Sequence, residues 1–129
     1  MKGRVEIRVP LYPTESEEKV REAVLRIFPD AELRCEGEML LGEAEELDTF
    51  LDIIKRHRIR DSAREFLLRR KSSGEYIFEL NKQVATVGVV NFVEEQQPLG
   101  SILVILRPES DEEFIKRLTP TFEESEGEE

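Results

Sequence analysis

Residues 4–28, RVEIRVPLYPTESEEKVREAVLRIF, change hydrophobic period partway along, and that change decides the fold class. Val5, Ile7, Val9 and Leu11 alternate with Arg4, Glu6, Arg8 and Pro10, the pattern of a strand with one buried face. Beyond Pro13 the spacing becomes helical: Val20, Ala23, Val24, Ile27 and Phe28 form one stripe. Glu15–Lys19, Glu17–Arg21 and Glu22–Arg26 are i,i+4 pairs on its wet side. Thr14 and Glu17 have capping-box spacing at the start of this helix, and Pro29-Asp30 closes it.

The same reading extends in sequence order. Ala31, Leu33 and Cys35 alternate with charged residues, and Gly37 turns the chain into a second short strand at 39–42, a hairpin. Leu47, Phe50, Leu51 and Ile54 predict a helix to about His57. Asp61 then caps a further helix with Ala63, Phe66 and Leu67 inward, ending before Ser72-Ser73-Gly74. Strands are expected at 76–80, 84–93 and 102–106, the last wholly apolar. A terminal helix follows at 111–118, capped by Ser110 or Asp111. The order β-α-β-β-α-α-β-β-β-α reads as α+β: helices on one face of a largely antiparallel sheet.

Twenty-nine acidic residues against nineteen basic give the 129-residue chain a formal net charge of -10. The last twenty-one residues hold nine acids and two bases, so the body is nearly balanced. The expected organisation is one domain over 1–122 and an acidic, disordered, solubilising tail over 123–129, EESEGEE, which has no apolar residue to bury. Cys35 is the only cysteine, which excludes an internal disulfide and a thiolate cluster and suits a reducing cytoplasm. No signal-like apolar segment or membrane-length run is present. High Glu, Lys and Arg with two Asn, three Gln and one Cys is a thermophile's bias.

One segment points to a partner. Residues 55–71, KRHRIRDSAREFLLRRK, carry eight basic residues against Asp61 and Glu65, and such a block attracts phosphates. On a helical projection Arg60, Arg64 and Lys71 fall within about 40° of one another beside the apolar face, while Arg70 falls inside the apolar arc. Phe66 reads as buried, which leaves Tyr76 as the stacking ring of this region. The competing reading lays these side chains along the core edge, or pairs them with Glu43, Glu45, Glu46 and the acidic tail. His57 has neither an orienting partner nor a nucleophile in sight, so no catalytic set is nominated. Glu43, Glu45, Glu46 and Asp48 read as helix-start carboxylates, not a metal site. Nothing matches GxxxxGK or GxGxxG, so no nucleotide cofactor is expected. Asn81, Lys82 and Gln83 read as a turn between apolar strands.

The strings VPLYPTE, RIRDSAREFLLRR, LNKQVATVGVVNF and PLGSI, spread over about residues 4 to 107, resemble the archaeal uncharacterised protein family two hundred and one. That group is placed with RNA-binding domains whose fold is likened to the large-subunit ribosomal protein that holds the 5S RNA. The resemblance implies a dimeric α+β domain in an archaeal cytoplasm, with RNA as partner and no established reaction. It carries over Arg58, Arg60, Asp61, Arg64, Asn81, Lys82 and Gln83 without defined roles, and marks Pro98-Leu99-Gly100 as a family turn. The expected site is therefore a nucleic-acid surface of Arg56, Arg58, Arg60, Arg64, Arg69, Arg70, Lys71 and Lys82, without metal, cofactor or catalytic residue. The alternative is a homodimeric protein-interaction module whose apolar strands at 84–93 and 102–106 supply the interface.

Overall fold

β1 (Lys2–Pro10) buries Val5, Ile7 and Val9 completely, and its position explains why the sequence makes it so regular. It lies in the middle of a six-stranded antiparallel sheet of order β2-β3-β1-β6-β5-β4. The computed structural model describes residues 1–120. α1 (Glu17–Ile27) leads to the hairpin β2 (Glu32–Glu36) and β3 (Met39–Glu46); then come α2 (Asp48–Arg56) and α3 (Arg60–Arg69), β4 (Lys71–Ser72), β5 (Glu75–Leu80), the one-turn α4 (Lys82–Ala85), β6 (Ile102–Pro108) and α5 (Asp111–Arg117).

Register fixes one core face. Ile7 stands between Gly42 of β3 and Val104 of β6, and Val9 opposes Leu40. A Cβ at position 42 would meet Leu33 Cδ2 of the neighbouring β2 at 2.5 Å, so the Leu33 side chain occupies the space that glycine leaves there. The helices cover this face with their apolar stripes: Val20, Ala23, Val24 and Ile27 from α1, Phe50, Leu51 and Ile54 from α2 with Ile53 added to the expected set, and Ala63, Phe66 and Leu67 from α3. Phe28, Phe50 and Phe78 stack in series, with ring centroids 5.6 and 5.7 Å apart. The opposite sheet face carries Arg4, Glu6 and Arg8 of β1 and Leu103, Ile105 and Arg107 of β6, with no described helix over it.

The α+β class and the helix-on-one-face layout are as the sequence predicts, with two changes in element order. The strand expected over 84–93 does not form. Asn81 Oδ1 accepts from Val84 N at 3.0 Å and starts α4 instead, and the chain returns as a loop tied to β5 by Val93 N donating to Glu79 O and by a single Leu80–Phe92 bridge. A two-residue strand, β4, is gained: Ser73 and Gly74, both at positive φ, close it onto β5 as a tight hairpin. Caps shift as well. Ser16, not Thr14, caps α1 through Lys19 N, and the Glu15 carboxylate just before it folds back to Tyr12 N and Lys82. α3 begins one residue before Asp61, with no side-chain cap, and Ser110 caps α5. β3 runs through Glu46, leaving only Asp48 in the first turn of α2. The boundary at Phe122 and the acidic tail lie outside the described residues.

Candidate nucleic-acid interface

α3 is the axis of the basic surface, and its two ends carry separate groups of cations. At its start, Lys55, Arg56 and Arg58 are exposed around the α2–α3 corner. That corner is a helix stop in which Arg58 N donates to Lys55 O and Ile59 N to Ile54 O, with Arg58 at φ 57. This pairing is the Schellman motif, whose left-handed position glycine normally fills. An arginine there costs on the order of 1 kcal/mol of backbone strain but projects its side chain from the apex of the corner. At the other end Arg69, Arg70 and Lys71 are exposed, about 15 Å away by helical rise. Half-buried Arg64 lies between, bonded to Asp61 at 3.1 Å and to Leu118 O at 3.4 Å.

The Arg70 guanidinium rests 4.7 Å above the Phe66 ring, which is itself braced by Phe92 at 4.8 Å. The expected conflict between Arg70 and the apolar arc is resolved by the helix ending: Arg70 is the C-cap residue, exposed, and covers Phe66 from outside. It presents a preorganised cationic plane, the kind of surface on which a nucleobase stacks. Tyr76 does not serve as a stacking ring. It is fully buried, and its hydroxyl donates to Asp111 Oδ1 at 2.5 Å. Burial, followed by the hydrogen bond to Asp111, pushes the Tyr76 pKa well up, while the Lys71 ammonium and then the Tyr76 hydroxyl hold the Asp111 carboxyl below its ordinary range.

Three of the eight residues read from the sequence fall off a common exposed stripe. Arg60 is 5% exposed because α3 turns it inward, toward a cleft between α2 and α5. Lys71 belongs to β4, so the helical projection that grouped it with Arg60 and Arg64 does not apply, and its ammonium binds Asp111 at 2.7 Å. Lys82 is 6% exposed at a different corner, where its ammonium donates to Pro10 O at 2.8 Å, Leu99 O at 2.6 Å and Glu15 Oε1 at 3.0 Å. All three of its protons are thereby used. This lysine gathers the strings VPLYPTE, LNKQ and PLGS at one point, and Gly100, at φ 76, allows the last to pass against Pro10. Its role is structural, and the turn reading of 81–83 becomes a capped one-turn helix.

The pairing of the basic segment with Glu43, Glu45 and Glu46 is not what forms. Arg56 pairs with Asp52 at 2.8 Å and Arg69 with Glu94 at 3.8 Å. Lys116 and Arg117 of α5 join Lys55 and Arg60 around the cleft, a convergence that sequence order hides because about sixty residues separate the two pairs. His57 is an exposed helix C-cap residue. No group of three potential metal ligands, and no helix long and apolar enough to cross a membrane, occurs among the described residues.

A family model described as RNA binding matches residues 4–107. A UPF0200/UPF0201 protein of Archaeoglobus fulgidus is 44% identical over 105 residues, which is 80% of this chain but 32% of that longer protein. A UPF0201 protein of Thermococcus kodakarensis is 37% identical over 123 residues, covering 90% of this chain and 88% of the relative. The crystal structure of a UPF0201 protein from Methanococcus jannaschii superposes with a TM-score of 0.80 at 31% identity, over 91% of this chain and 99% of that one. With the whole body matched in sequence and in fold, the chain belongs to the archaeal UPF0201 family, whose model carries an RNA-binding description.

Proposed function

We propose that the protein is a non-catalytic RNA-binding domain that grips phosphates with the arginines at the two ends of α3. Arg56 and Arg58 hold one stretch of backbone, Arg69 and Arg70 another, and Arg64 and Lys71 contribute from the margin. The single observation that supports this most is the projection of Arg58 from a left-handed position that glycine would occupy at lower cost. The Arg70–Phe66 stack adds a flat face for one base, without the hydrogen-bonding edges that sequence-specific readout requires. The overall charge of -10 makes the affinity local and strongly salt-dependent. With about four phosphate contacts, log affinity falls against log salt with a slope of roughly -3. Arg58→Gln with Arg69→Gln should weaken binding to structured RNA roughly tenfold or more at low salt and shallow the slope by about 2. A slope near zero for the unmodified protein would remove the proposal.

A second reading, assembly as a homodimer, draws on a specific feature of the open sheet face. Ile102, Val104 and Leu106 point into the core and are unavailable, but Ile77, Leu103 and Ile105 lie on the other side, with Ile77 opposite Ile105. Light scattering of the protein and of Ile105→Lys tests it: a dimer that the variant converts to monomer supports assembly through this face, and a monomer throughout excludes it.

A further inference from the structure

We infer that the helix-free face of the sheet is a docking surface for a basic amphipathic helix of another protein. Register lines up one lane across five strands: Glu32 of β2 opposes Glu43 of β3, Glu43 opposes Glu6 of β1, Glu6 opposes Ile105 of β6, and Ile105 opposes Ile77 of β5. These side chains leave the sheet on the side away from the core, where no helix of the described residues lies. The three glutamates are exposed, and Ile77 is 40% exposed. Like charges directly opposite each other weaken strand pairing, and here two such pairs are adjacent. Among the described residues Glu32 and Glu43 have no ion pair, and Glu6 has only Arg8 at 3.9 Å. The glutamates border a hollow of about 550 Å³ whose one cation is Arg4, itself set against Arg107 across β1 and β6. The lane therefore has an apolar end and an acidic end, and the fold satisfies neither.

Geometry and charge select the occupant. β3, β1 and β6 are interior strands whose backbone groups pair within the sheet, so the face offers side chains alone. An extended peptide laid there would bury its own amides unpaired, whereas a helix arrives with its backbone satisfied. Four strand spacings make the lane about 19 Å long, the length of a helix of about thirteen residues. Apolar residues on its first turns meet Ile77 and Ile105, and Lys or Arg on the same side of its later turns meets the glutamates. Nucleic acid is repelled by the acidic end. A second copy laid over the whole lane fits poorly. A two-fold axis at Glu6 sets Glu6 against Glu6 and Glu43 against Ile105, and an axis at Ile105 sets Glu6 against Ile77. Either arrangement buries a carboxylate without a cation. The inference is independent of the RNA reading and contends with the homodimer for the same face.

The probe is a fluorescein-labelled, alanine-based helix of about fifteen residues, with leucines on its first two turns and lysines on the same side of its last two. Fluorescence anisotropy with the full chain at low ionic strength should show saturable binding, several-fold weaker for a peptide of the same composition whose lysines lie on the opposite side. Methyl NMR should place the shift changes at Ile77 and Ile105, and not at Leu25, the exposed leucine beside Glu18 and Glu22 of α1. Glu43→Lys should weaken binding roughly tenfold, while Glu22→Lys, the same charge change on α1, leaves it nearly unchanged. Glu43→Lys should also unfold at an equal or higher denaturant midpoint, because it relieves both opposed pairs. A lower midpoint would assign Glu43 to the fold and remove the inference. Equal losses for the two variants, shift changes centred on Leu25, or no saturable binding by about millimolar peptide would overturn the site. So would a dimer in light scattering that Ile105→Lys converts to monomer, since the face would then belong to a second copy.

Discussion

Two side chains define what single residues do here, and they act in opposite senses. Lys82 is a charge taken out of water for structure: two carbonyls and the Glu15 carboxylate, itself 10% exposed, surround the ammonium, and the Tyr12 ring lies 5.6 Å away. Replacing it with methionine keeps the volume but strands Glu15, so Lys82→Met should destabilise the fold by about 3 kcal/mol. Adding Glu15→Gln should recover a good part of that loss, as read by denaturant unfolding of the single and double variants. Arg58 is the reverse, a charge kept outside at a structural cost. Arg58→Gly relieves the left-handed backbone and should raise stability by about 1 kcal/mol while weakening RNA binding. A variant that is both less stable and equally tight in RNA binding would show that the corner needs the arginine for packing. The sequence marks Lys82 and Arg58 alike as basic residues within family strings; burial and φ, which no string of letters carries, separate their roles.

At the scale of elements, α5 is fastened to the sheet by a polar clamp instead of by apolar area alone. Asp111 receives Lys71 at 2.7 Å from β4 and Tyr76 at 2.5 Å from β5, while Phe114 packs on the Tyr76 ring at 5.0 Å. Because the folded state lowers the Asp111 pKa, the clamp's contribution is present above the unfolded carboxylate value near 4 and is lost as pH falls below it. Tyr76 works at the other limit. Its folded pKa is raised, so its contribution holds below the unfolded value near 10 and is lost as pH rises beyond it. Thermal unfolding should therefore show a plateau between about pH 4 and 10, and Asp111→Asn should flatten the acid limb specifically. An acid limb identical in protein and variant would place the titrating group elsewhere. The helices were readable because their stripes are long and periodic; α4 was not, because in four residues the Asn81 cap outweighs the strand preference of the valines that follow.

For the whole molecule, the sheet order joins the two ends of the described chain: β1, near the start, pairs along its length with β6, near the finish. Both are interior strands, whereas β2 and β4 are edges. Hydrogen exchange should accordingly be slowest in β1 and β6, approaching the global unfolding limit, and fastest in β2, whose five residues are largely exposed. Comparable protection in β2 would mean that a partner covers that edge. The amino-acid sequence alone determined the α+β class, the apolar faces of β1, α1, α2 and α3, and the location of the basic segment, because periodicity and charge are local properties carried by neighbouring residues. Tertiary structure alone decided that β1 is central, that Arg60 and Lys82 are buried while Arg58 and Arg70 face water, and that α5 brings Lys116 and Arg117 to α2. Those outcomes depend on contacts between residues distant in the chain, where burial and hydrogen-bond competition overrule the preference of any one segment.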